Sequence, residues 1–81
     1  MIDEFAITQL IQATLPDAHV RAVDYSGTLD HYNISVRSQA FEQKTILAQH
    51  QLVYAALRPA LDDGRLHAVQ LQTLTPQEST P

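Results

Sequence analysis

The 81-residue chain contains no cysteine. Disulfides are excluded, and so is any thiolate metal site built from this chain alone. The same absence fits a reducing compartment. Positive charge is also scarce. One lysine and four arginines are scattered against nine acids, giving a formal net charge of −4 and a pI near 5.3. Phosphate backbones reward clustered positive charge, so nucleic acid is a poor default partner. No run approaches the ~18 apolar residues of a membrane span. The opening "MIDEFAITQL" carries acids ahead of its apolar stretch, where a signal peptide would carry bases. A soluble, cytoplasmic protein with no membrane association is expected. The two glycines, Gly27 and Gly64, leave no material for a Gly-rich phosphate loop.

What the chain does have is enough apolar character, 44% of its residues, for one modest core. A single domain over residues 1–75 is expected, near the lower size limit for folding without a staple. Residues 76–81, "PQESTP", have nothing to bury and read as a flexible tail.

Between Asp3 and Leu15, the residues Ile7, Leu10, Ile11, Thr14 and Leu15 form one stripe at helical spacing. Asp3 can cap this helix, and Pro16 ends it by disfavouring helical geometry at Leu15. "AHVRAVDYSG" reads as a strand closed by Ser26-Gly27. "HYNISVRS" alternates cleanly, with Tyr32, Ile34 and Val36 on one face and His31, Asn33, Ser35 and Arg37 on the other. These two strands make a hairpin with one wet face.

From Lys44 to Leu61, the residues Ile46, His50, Val53, Leu57 and Leu61 mark one face of a helix. Pro59 predicts a kinked last turn or a division into two shorter helices. Gly64 suits a left-handed cap, and "GRLHAVQLQTLTP" supplies a third strand. There His67 shares a face with Val69, Leu71 and Thr73, which places it at the lip of the core and in need of a partner. The order is α-β-β-α(α)-β: a small α+β domain with helices packed on one face of a three-stranded sheet.

Four histidines are the candidate chemical groups. His19, on a face with Arg21 and Val23, reads as a surface residue, and His50, inside the helical stripe, reads as a hydrogen-bonded core residue. His31 and His67 both fall at strand starts, where a sheet can present imidazoles to solvent or to a partner. Their spacing matches no local metal motif. Asp24, Ser26 and His31 could be drawn as a triad, but no "GxSxG" elbow frames the serine. Asp62 and Asp63 read as solvated turn residues. The element order also suits an RNA-binding KH module, yet the "GxxG" clamp is missing. No catalytic constellation is found, so no enzyme is expected.

Three segments, "VDYSG…DHYNISVRSQAF", "AQHQLVYAAL" and "LHAVQLQTLTP", resemble the BolA family in order and spacing, over about Val20 to Pro76. One departure lies at Gln43, where the family pattern usually has a glycine two residues after the phenylalanine, here Phe41. The resemblance implies a BolA-like, class II KH-like fold. It also implies a heterodimer with a monothiol glutaredoxin around a bridging [2Fe–2S] cluster. The histidine of the "HA" segment, His67, would be the ligand. A second ligand usually comes from the loop between the first two strands. That loop, "DYSGTLD", holds neither His nor Cys, and His31 just after it is the nearest candidate.

Such a cluster needs about four ligands, usually thiolates. A Cys-free chain binds none alone, and a partner must supply the sulfur. Imidazole in place of thiolate raises a cluster's potential, and its protonation makes the site labile to acid. The implied role is a non-enzymatic adaptor in iron–sulfur cluster trafficking or in iron and redox sensing. The alternative is a DNA-binding transcriptional regulator of the BolA type that reads through helix Lys44–Leu61, which the acidic charge and single lysine weigh against. A third reading is a homodimeric interaction module using an exposed sheet edge. Alone, the chain is expected to be a monomer or weak homodimer.

Overall fold

The computed structural model describes residues 1–76; the expected tail lies outside them apart from Pro76. Elements follow in the order α1 (Glu4–Thr14), β1 (His19–Asp24), β2 (His31–Arg37), a 3₁₀ turn (Gln39–Phe41), α2 (Ile46–Asp62) and β3 (Ala68–Leu74). No helix among the described residues is long and apolar enough to cross a membrane.

Helix α1 starts where Asp3 accepts a hydrogen bond from the Ala6 amide at 2.8 Å. Leu15 then leaves helical geometry ahead of Pro16 (φ −122°, ψ 82°). Ile7, Ile11 and Leu15 are buried. Glu4 reaches across to accept from the Ala22 amide on β1 at 2.9 Å.

Strand β2 is central, antiparallel to β1 and parallel to β3. Tyr32, Ile34 and Val36 all enter the core, as their alternation predicts. The Tyr32 hydroxyl donates to the Ile2 carbonyl at 2.6 Å, which satisfies a buried polar tip and anchors the N-terminal residues. The parallel β2–β3 pair requires a crossover, and α2 provides it.

Helix α2 buries Val53 and Leu57 as expected but departs from its expected face on either side of them. Gln49, Val53, Ala56, Leu57 and Ala60 are buried, while Ile46 is 63% exposed and His50 and Leu61 are half-buried. His50 is therefore not a core histidine. The packed face is chosen by two small alanines, which let the helix approach closely, and by Gln49. Gln49 donates to the carbonyls of Phe41 (3.0 Å) and Lys44 (3.1 Å) and accepts from the Thr73 hydroxyl at 2.6 Å. With both amide hydrogens and its oxygen engaged, a glutamine can be buried at 5% exposure.

Helix α2 is a single element despite Pro59. So near the C-terminus a proline costs one internal hydrogen bond, and the Pro59 carbonyl still accepts from Asp63 at 3.2 Å.

A further departure concerns His67. It stands one residue before β3, with its side chain 57% exposed, and Leu66 fills the core position next to it. Thr73 is buried, and Val69 and Leu71 are half-buried. His67 thus faces solvent rather than the lip of the core.

Gln43 has φ +62°, in the left-handed region that suits glycine. The departure from the family pattern therefore falls where the backbone itself asks for the missing residue.

Candidate functional site: two imidazoles on one carboxylate

The loop between β1 and β2 is wired from its two ends. At the first, one Asp24 oxygen accepts from the Ser26 amide (3.0 Å), the Ser26 hydroxyl (2.9 Å) and the Gly27 amide (3.1 Å). The other accepts from the Leu29 amide at 3.2 Å. This is an Asx-type turn, in which an aspartate carries the amides of the residues that follow it. Burial pushes the Asp24 carboxyl up, but the Ser26, Leu29 and Gly27 bonds outweigh it and hold the group below its ordinary range. Gly27 (φ +81°) and Leu29 (φ +58°) take the left-handed positions the turn requires.

At the second end stands Asp30. Its backbone carbonyl accepts from the amides of His67 (2.8 Å) and Ala68 (3.2 Å), where β3 joins the sheet. Its side chain lies between two imidazoles. The Oδ1 atom is 2.7 Å from His31 Nδ1 and also accepts from the Thr28 hydroxyl. The Oδ2 atom is 3.2 Å from His67 Nδ1. The two imidazole rings have centroids 6.0 Å apart and are nearly perpendicular, at 89°. Tyr25 meets His31 edge-on, also at 6.0 Å.

Asp30 is only 17% exposed, against 37% for the His31 side chain and 57% for that of His67. The Thr28 hydroxyl and the His31 hydrogen bond hold its carboxyl at about 2, with the charges of both histidines assisting against desolvation. Asp30 is thus an anion across the physiological range and accepts hydrogen bonds only.

The parallel register explains why His31 and His67 meet. His31 pairs with Ala68, so the two strands start at the same end of the sheet. His19 pairs with Arg37 at the far end of β2, and His50 lies along α2; neither joins the site. The drawn triad does not form. The Ser26 hydroxyl bonds Asp24 and lies 2.7 Å from that of Thr28, while His31 Nδ1 turns to Asp30. Asp62 and Asp63 are exposed, as expected, and Asp63 pairs with Arg65 at 2.8 Å.

Sequence reasoning placed both histidines at strand starts but did not single out Asp30 as their common partner. The signal was the "DH" pair at the head of β2, which sets a carboxylate beside one imidazole.

Among the described residues, no group of three His, Cys, Asp or Glu side chains is arranged to hold a metal ion. His31 Nδ1 is engaged by Asp30 Oδ1, while His67 Nδ1 stands 3.2 Å from Oδ2 without a hydrogen bond. Two imidazoles alone do not make a complete site for a [2Fe–2S] cluster, which takes about four ligands.

The chain matches the family model for BolA-like proteins over residues 5–78. It belongs to the BolA-like family. Within that family it is 43% identical over 49 residues to the chloroplastic protein BOLA1 of Arabidopsis thaliana. That match covers 60% of this chain but spans only 30% of the longer relative. It is 30% identical over 69 residues to the acid stress protein IbaG of Escherichia coli, covering 84% of this chain and 82% of IbaG. The solved structure of BolA1 from Arabidopsis thaliana superposes with a TM-score of 0.82 at 30% identity, covering 98% of this chain and all of that one. The BolA fold, an α+β arrangement with a three-stranded sheet, is thereby established for the chain.

Proposed function

We propose that this BolA-like chain is a non-enzymatic adaptor in iron–sulfur cluster trafficking or in iron and redox sensing. Its partner is a monothiol glutaredoxin. The two chains share a bridging [2Fe–2S] cluster, to which His67 is the first ligand from this side and His31 the second. The isolated chain binds no cluster, because it has no cysteine to supply thiolate. The supporting observation is the pair of partly exposed imidazoles that flank a single carboxylate at one end of the sheet. When present, the cluster supplies one-electron redox chemistry and a transferable iron–sulfur unit. The chain's own residues hold two nitrogen donors in place and leave the remaining positions open. A reducing compartment such as the cytoplasm suits both the cluster and the Cys-free chain.

The test is to mix the protein with cluster-loaded monothiol glutaredoxin and record visible absorption and circular dichroism. The combined spectrum should differ from the sum of its parts, and His67→Ala should abolish the difference. Additive spectra for the wild-type chain would end the cluster-sharing reading. An unchanged response in His67→Ala would move the ligand elsewhere.

A further inference from the structure

We propose that Asp30 is the positioning residue of the site: its carboxylate holds His31 in the Nδ1–H tautomer, which leaves that ring's lone pair on Nε2, and its main-chain carbonyl seats His67 beside it. The inference rests on the cluster reading above and adds to it a residue that is not itself a ligand.

The geometry is specific. Oδ1 lies 2.7 Å from His31 Nδ1 in a hydrogen bond, whereas Oδ2 stands 3.2 Å from His67 Nδ1 as a charge contact only. An ionised carboxylate only accepts hydrogen bonds, so His31 Nδ1 must carry the hydrogen. A neutral imidazole with hydrogen on Nδ1 has its lone pair on Nε2, the form a metal ligand needs. Both rings are substantially exposed, so packing alone does not fix their orientation. The carboxylate, in contrast, is fixed. The Thr28 hydroxyl binds its Oδ1, and its own backbone carbonyl takes the His67 and Ala68 amides. One residue therefore positions both histidines, His31 through its side chain and His67 through its main chain.

An alanine at position 30 would separate the side chain's role from the main chain's. It removes the carboxylate that fixes the His31 tautomer and keeps the carbonyl that takes the His67 and Ala68 amides.

The experiment uses the full chain with ¹⁵N-labelled histidine at about pH 8, above the ordinary imidazole range. Two-bond ¹H–¹⁵N correlation spectra report the tautomer of each ring without any metal. His31 should show Nδ1 protonated in the wild-type chain and lose that preference in Asp30→Ala, while the His67 signals stay as in wild type. A His31 ring protonated on Nε2 in the wild-type chain would overturn the proposal, with no variant needed.

The second arm titrates cluster-loaded monothiol glutaredoxin. Loss of an orienting partner typically costs 10–100-fold in metal affinity. Asp30→Ala should weaken the spectral response by that factor and leave binding of cluster-free glutaredoxin unchanged. A titration that superimposes on wild type would also overturn the positioning role. A wild-type chain with the expected His31 tautomer but no response to loaded glutaredoxin would uphold the role of Asp30 in orienting that ring and overturn the cluster reading instead.

Discussion

Replacing Gln43 with glycine should stabilise the domain, against the usual expectation for a glycine introduced into a folded chain. The residue sits at φ +62° between the 3₁₀ turn and α2, and its side chain is exposed. A left-handed conformation costs a residue with a Cβ about 1–2 kcal/mol, a penalty glycine escapes. Glycine in turn loses more backbone freedom on folding, worth about 0.5–1 kcal/mol. An exposed glutamine side chain gives up little packing, so the balance favours glycine by roughly 0.5–1 kcal/mol. In a domain of this size about 1 kcal/mol moves Tm by 4–8 °C, so a rise of about 2–8 °C is expected. Urea unfolding followed by far-UV circular dichroism should show a higher midpoint with an unchanged slope. Gln43→Ala is the control. It removes the same side-chain atoms but keeps the Cβ and the strained backbone, so its midpoint should stay close to wild type. A glycine variant no more stable than wild type would refute the strain argument. A gain shared equally by the alanine variant would assign the effect to the side chain.

Gln49→Leu should destabilise the domain by about 1–3 kcal/mol, because it takes the side-chain partner from the Lys44 carbonyl and the Thr73 hydroxyl and leaves the Phe41 carbonyl only the Lys44 amide at 3.3 Å; chemical denaturation reads this directly. Asp17 should make stability depend on acid. Hydrogen bonds from the Ser38 hydroxyl and then the Gln39 amide lower its pKa below 3.8, so its contribution is present above that value and disappears as pH falls through the folded-state value. Asp17→Asn should accordingly cost stability near neutrality and much less at about pH 2, as measured by denaturation midpoints across that range. Gly64→Val should strain the turn at φ +83°, and its two methyl groups would extend from a Cβ that already stands in van der Waals contact, 3.7 Å, with His67 Nε2. The expected readout is a lower Tm together with a weakened spectral response to cluster-loaded glutaredoxin.

The sheet was readable wherever burial alternates strictly with position. Tyr32, Ile34 and Val36 declared the central strand, and Asp3 and Pro16 declared the limits of α1. The face of α2 was readable only at its centre, where Val53 and Leu57 are buried as their spacing predicts. Its flanks are closed by Ala56, Ala60 and a fully hydrogen-bonded Gln49, which carry little apolar signal, while Ile46 lies in solvent. His67 was misplaced by the same kind of reasoning. Alternation assumed that the strand had already begun, whereas β3 starts one residue later and Leu66 takes the inward position. The two site histidines could be chosen from their places at strand starts. Their convergence on Asp30 depends on the parallel register between β2 and β3, which no local pattern encodes.

That register gives the site a second property. His31 and His67 are separated by 36 positions (67 − 31) and meet only after α2 has carried the chain back across the sheet to lay β3 beside β2. A hairpin of β1 and β2 alone would present one imidazole and an aspartate with a free oxygen. A chain stopped after α2 would do the same. Contacts between residues distant in sequence are the slow ones to form. A partner that needs both nitrogens therefore recognises only finished copies of this protein, and the paired histidines certify that the chain's longest crossover is complete.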